Sequence, residues 1–265
     1  MAPLRLPPAT SVLATVELGS DRQARAQVAP HEAAPAVGRY KIIRTNEVDA
    51  KDEALTAQQV RRIQSTGAAA LTRSTGDNFE GTARKAAKLS IADTPAQDFE
   101  SVAAVIATLP SQTAMTHHHP GISDGSSSER VAEEQRNVRL SAFLYAASRE
   151  NDNDFHLIVG DSLQAGEEVY MTMEVSGLPP PDDASFAKLK SARDSFQGFF
   201  GDQTPGASYD FYDPPIPILV EGSPFFDISH AHGRSPGPPT LHPHMPVIWE
   251  IHPVASIQFE PGPNA

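Results

Sequence analysis

Four histidines, His230, His232, His242 and His244, fall in one Pro/Gly-rich stretch between two apolar runs, and Asp227 opens that stretch as Asp-x-x-His-x-His. Imidazole with carboxylate is the donor set favoured by zinc and other first-row divalent metals. Asp227, His230, His232, His242 and His244 are therefore the candidate metal ligands. A second set could line a ligand-binding face: Asp152 and Asp154 in an acidic turn, His156 and Glu174 inside apolar runs, and Trp249 and His252 in the last run. Each has a bland alternative. Asp/Asn runs are ordinary turn chemistry. A histidine beside proline in a long loop is commonly solvated, and one alternating with apolar residues is commonly a hydrogen-bonded structural residue. Trp249, Phe225 and Phe226 equally suit core packing, because a small barrel needs large side chains inside. The chain lacks His-Glu-x-x-His, a Gly-x-Ser-x-Gly elbow, a phosphate loop and a dinucleotide fingerprint. The His117–His119 triplet would hold metal only adventitiously.

The elements that must position these residues read most clearly in the C-terminal half. Residues 138–147, 155–159 and 169–175 alternate and are β-prone, with a turn at Glu150-Asn-Asp-Asn-Asp between the first two. Asp183 can cap a helix over 184–200, with Phe186, Leu189, Phe196, Phe199 and Phe200 on its apolar side and Gly201 as a stop. Residues 216–226 and 247–259 complete the set, the last bent at Pro253. The order β-β-β-α-β-β predicts an α+β fold, a five-stranded OB-like β-barrel; another small α+β sheet could share that order. In an OB barrel the loop joining strands one and two and the loop joining strands four and five frame one binding face. The acidic turn and the His-rich loop would then meet there.

The N-terminal half reads differently. Residues 1–37, rich in Ala, Pro and Val, predict a disordered arm. Residues 38–110 predict a small, mainly helical region, with a short strand near 39–45 and helices at 56–63, 79–91 and from Thr94 to Leu109. Residues 111–130 predict a linker, and residues 131–262 the OB-like domain.

Composition narrows the function classes. The net charge is −12, and it is uneven: residues 1–129 carry 13 Lys/Arg against 14 Asp/Glu, and residues 130–265 carry 8 against 19. Nucleic-acid affinity comes largely from Lys/Arg displacing counterions from phosphates, so the C-terminal half is disfavoured as a nucleic-acid binder. A calcium-dependent nuclease on a barrel of this kind would also need arginines near the face, and few are there. With no cysteine there is no disulfide, no Cys-ligated zinc and no thiol catalysis. No run of 18 apolar residues and no secretory pattern occurs, which predicts a soluble cytoplasmic protein.

At Asn153-Asp-Phe-His-Leu-Ile, Met173-Glu-Val-Ser-Gly-Leu-Pro, Phe225-Phe-Asp…His-x-His-Gly and Trp249-Glu-Ile-His-Pro-Val, the chain resembles a family of uncharacterised bacterial proteins. The resemblance covers about residues 136–260, with Gly81-Thr-Ala-Arg-Lys-Ala-Ala-Lys-Leu-Ser similar to an upstream segment in some members. It implies a shared fold and carries no established activity. The expected function is a non-catalytic module binding a small polar molecule or a protein partner. The alternative is a metal-dependent hydrolase, with zinc as the candidate cofactor, using Asp154, His156, Asp227, His230 and His232. A third reading is a scaffold that recruits partners through its Pro-rich segments.

Overall fold

The computed structural model describes residues 11–18, 40–48, 76–161, 169–232 and 236–260. It is an α+β fold with one eight-stranded sheet and short helices. The strands are β1 (Val12–Leu18), β2 (Tyr40–Thr45), β3 (Ala96–Phe99), β4 (Asn137–Arg149), β5 (Phe155–Gly160), β6 (Tyr170–Val175), β7 (Asp210–Phe226) and β8 (Trp249–Phe259). The helices are α1 (Lys85–Lys88), α2 (Val102–Ala107), α3 (Gln112–Thr116) and α4 (Phe186–Phe200).

β4 pairs antiparallel with β5 and also with β7. β5 pairs with β6, β6 runs parallel to β8, and β8 pairs antiparallel with β7. The pairings thus pass β4–β5–β6–β8–β7 and return to β4. Three more strands extend this set beyond the five expected: β2 joins β7, β1 joins β2, and β3 lies parallel to β4.

Strand side chains alternate between faces, and here the alternation separates two environments. Phe155, Leu157, Val159, Met171, Met173, Val175, Trp249 and Ile251 join the main apolar core. Helix α4 lies over part of it, with Phe196 stacked on Phe155 at 4.6 Å and Phe199 on Phe259 at 3.9 Å. Gly201, at φ 55°, ends the helix as expected of a C-terminal glycine.

The N-terminal half departs from its expected helical character. Val12–Leu18, within the expected arm, is a strand, because its β-prone residues find a partner edge in β2. The helix expected at 56–63 lies outside the described residues. Of the helix expected at 79–91 only α1 forms. Arg84 takes a left-handed conformation (φ 46°), and the chain before it is extended, with Phe79 N–H donating to Leu178 O and Glu80 N–H to Asp152 O. The helix expected from Thr94 starts instead at Ser101, whose Oγ caps Ala104 N–H at 3.0 Å. Asp161 accepts from Val102 and Ala103 N–H and fixes that start. Residues 96–99 pair as β3. Residues 111–130, expected as a linker, carry α3 with Met115 buried, and Asp124, Ser126 and Ser128 carbonyls accept from Arg84, Ala86 and Ala87 N–H.

Candidate functional site

The other face of β5, β6 and β8 is polar and completely buried. Register places His156 opposite Glu174, and Thr172 opposite Glu250. His252 follows Glu250 by two positions on the same face. All five are at most 1% exposed. Asp154 joins them from the turn before β5, where Asn153 takes φ 75°. Its Oδ1 accepts Gly177 N–H at 2.6 Å. Gly177 is required there, since a Cβ would fall 2.7 Å from Phe79 Cα and 2.9 Å from Phe79 N.

Residues 76–92 cover this face. Asn78 bridges to Leu178, and Asn153 Nδ2 donates to Asn78 O at 2.6 Å. Arg84 is the principal anchor. Its guanidinium makes two bonds to Glu134, at 2.7 and 2.8 Å, donates to Phe226 O and Glu129 O, and lies 4.6 Å over the Phe225 ring. One helical turn on, Lys88 Nζ sits 3.9 Å from Glu174 Oε2 and 3.8 Å from Asp152 Oδ2.

His252 lies among three carboxyl groups. Its Nδ1 is 2.9 Å from Glu174 Oε2 and 3.7 Å from Glu250 Oε2, and its Nε2 is 3.4 Å from Asp154 Oδ2. These approaches are misaligned: both ring nitrogens, Asp154 Oδ2 and both Glu174 oxygens lack a well-formed hydrogen bond. Beside them, Tyr209 Oη lies 2.8 Å and Glu150 Oε1 3.0 Å from His156 Nδ1. On the far side, His230 Nε2 is 3.7 Å from Asp227 Oδ2, and Ser229 N–H holds Asp227 Oδ1 at 2.8 Å.

Burial, reinforced by the Asp152 and Glu174 charges, pushes Asp154 well above the usual carboxylate range. Burial also works to raise Glu174, but the facing His252 and Lys88 outweigh it and hold that carboxyl well below its ordinary value. Burial drives His252 down to about 4 against the pull of Glu174.

Three groupings among the described residues bring potential ligand atoms within 4.8 Å of one another: Asp154, Glu174 and His252; Glu150, His156 and Glu174; and Asp227, His230 and Glu250. These groupings could hold a metal. They could equally hydrogen-bond a small polar ligand.

Of the expected face residues, Asp152, Asp154, His156, Glu174 and His252 come together. Trp249 does not. One position out of phase with Glu250, it points into the apolar core, packing against Phe226 and donating Nε1–H to Pro110 O at 2.9 Å. Of the expected metal ligands, Asp227 and His230 meet Glu250. His242 turns back on its own loop, with Nε2 2.7 Å from Gly237 O, and His244 sits edge-on to Tyr170. Neither joins a grouping. The His232 side chain falls outside the described part of the structure. Lys88, Arg84 and Glu134 carried no motif that pointed to this face. Glu250 carried one signal, its spacing of two from His252.

The described residues contain no helix long and apolar enough to cross a membrane. Compared with protein-family models, curated proteins and solved structures, the chain matches none.

Proposed function

We propose that the chain is a non-catalytic binding module built on an OB-like five-stranded barrel, with its ligand held at the buried polar face of β5, β6 and β8. The barrel reading is supported by the cycle of pairings β4–β5–β6–β8–β7–β4, with α4 between the third and fourth of these strands in chain order. That is the element order of an OB barrel, whose second and third strands carry the ligand face. In this chain those strands are β5 and β6.

One observation carries the functional reading. Asp154, Glu174 and His252 are fully buried and close together, yet five of their polar atoms lack a well-formed hydrogen bond. Burying a charged group without full pairing costs several kcal/mol, and nearly all buried polar groups in folded proteins are satisfied. An arrangement this expensive is explained when a ligand completes it.

The hydrolase alternative fits less well. It gathers Asp154, His156, Asp227, His230 and His232 around one point, whereas Asp154 and His156 fall in different groupings from Asp227 and His230. A small polar molecule suits the face better than nucleic acid, given 8 basic against 19 acidic residues after position 129.

The test is thermal unfolding of the full chain with a panel of small polar molecules and cations, on wild type and on Glu174→Gln and His252→Ala. A ligand at 100 times its Kd adds about 2.7 kcal/mol to folded-state stability. A stabilisation present in wild type and lost in both variants supports the reading. Compounds that stabilise all three proteins equally, or none, refute it.

A further inference from the structure

We infer that the ligand of this face is a divalent first-row cation, held by Asp154, Glu174 and His252 with Glu250 beside them and with Lys88 as its intramolecular competitor. The inference rests on the binding-face reading above and names the ligand's chemical class.

The donor set favours a cation. Carboxylate oxygens and one imidazole are hard to borderline ligands, suited to zinc or manganese. Calcium prefers six to eight oxygens and no imidazole. The ligand atoms of Asp154, Glu174 and His252 already lie within 4.8 Å of one another, and a Glu250 oxygen is 3.7 Å from the ring. The 3.4 Å between His252 Nε2 and Asp154 Oδ2 is close to an edge of a coordination shell built from bonds of about 2.0–2.2 Å.

The imidazole is flanked by carboxyls on both nitrogens, as metal-bound histidines are: one nitrogen ligates and the other donates its N–H to a carboxylate that orients the ring. Asp154 is itself oriented by Gly177 N–H. Of the atoms that lack well-formed hydrogen bonds, Asp154 Oδ2, a Glu174 oxygen and one His252 nitrogen are those a metal would engage, and the other ring nitrogen keeps a carboxylate beside it.

Lys88 fits the same logic. Its ammonium, 3.9 Å from Glu174 Oε2 and 4% exposed, is a cation delivered to the cluster on a tether. A single positive charge cannot coordinate, and it faces at least two carboxylates. A divalent ion that ligates Glu174 must share or replace that contact. The chain therefore sets its metal affinity through position 88.

The experiment is equilibrium dialysis of the EDTA-stripped full chain against zinc, manganese or calcium, with bound metal measured by mass spectrometry. Wild type, Glu174→Gln, Asp154→Asn, Lys88→Met, His242→Ala and a variant with His117–His119 replaced by Ala are compared. The inference predicts one zinc or manganese ion per chain at micromolar free metal. It predicts affinity at least tenfold weaker in Glu174→Gln and Asp154→Asn, at least tenfold tighter in Lys88→Met, and unchanged in the last two variants. Circular dichroism identifies any variant that fails to fold; either Glu174→Gln or Asp154→Asn is sufficient for the comparison. Binding lost only with His242 or His117–His119 is surface histidine chemistry and overturns the inference, as does a preference for calcium. Absence of metal binding, with another polar ligand giving a Glu174-dependent thermal shift, overturns the inference and leaves the binding-face reading standing. Absence of both overturns the two together.

Discussion

Replacing Glu134 with alanine should break the clamp that holds residues 76–92 over the polar face. Glu134 is fully buried and accepts two bonds from Arg84, at 2.7 and 2.8 Å, and two from the backbone N–H groups of Phe226 and Val131, at 2.8 and 3.0 Å. In Glu134→Ala the Arg84 guanidinium stays buried without its counter-charge. Removing one partner of a buried ion pair destabilises by about 3–5 kcal/mol. The two orphaned N–H groups would add about 1–3 kcal/mol each if nothing replaced the carboxylate, but water entering the space offsets much of that, so the expected loss is about 4 kcal/mol in total. The double variant Arg84→Met/Glu134→Leu removes both charges together and should be less destabilised than Glu134→Ala alone, a coupling of at least about 2 kcal/mol. Urea unfolding of wild type, Glu134→Ala, the singles Arg84→Met and Glu134→Leu, and the double variant measures this, and hydrogen exchange should show protection falling first in residues 84–88. A Glu134→Ala loss below about 1 kcal/mol, or a double-variant loss equal to the sum of the singles, would refute the reasoning.

Three further outcomes are expected. Gly177→Ala should destabilise by about 1–3 kcal/mol in urea, because its Cβ meets the Phe79 backbone rather than a yielding side chain. Trp249→Ala should lose about 3–5 kcal/mol and should also increase proteolysis near Pro110, whose carbonyl accepts the indole N–H. Burial works to raise Asp77, but hydrogen bonds from Arg193 and Gln197 outweigh it and hold its pKa below the ordinary 3.8. Its folded-state stabilisation is therefore complete above that value and is lost as pH falls through the lower folded one. In urea unfolding, the stability advantage of wild type over Asp77→Asn should be constant above the ordinary value and should shrink as pH falls below it.

The strands that build the site were legible because each carries its own local signal. Residues 155–159, 169–175 and 247–259 are short apolar, β-prone runs that show as strands from local pattern alone, and β5, β6 and β8 lie there. Helix α4 announced itself through Phe196, Phe200 and the stop at Gly201. The N-terminal half was not legible in the same way. Thr94-Pro95 is a good helix start, and it lost to the parallel pairing of Ala96–Phe99 with β4 and to the cap at Ser101. Val12–Leu18 sat in a stretch whose average composition hid a seven-residue strand.

Site residues followed the same division. His156, Glu174 and His252 stood out as polar positions in apolar strands, and alternation put them on one face. Alternation alone reads such a face as solvent-exposed. Its burial depends on Arg84 and Lys88, more than 60 residues earlier in the chain, and on Glu134 as their anchor. No local pattern announces that contact. The loop histidines show the converse: His242 and His244 are close in sequence to His230, but two short 3-10 turns, Ile228–His232 and His242–His244, send them to different neighbours.

Crystals grown with zinc, measured at the zinc absorption edge, test the central claim most directly. The account predicts an anomalous peak at the buried face, about 2.0–2.2 Å from a His252 nitrogen and a Glu174 oxygen, with Lys88 drawn away from its 3.9 Å contact. Density on His117–His119 or His242 alone, with Lys88 still seated against Glu174, would contradict it.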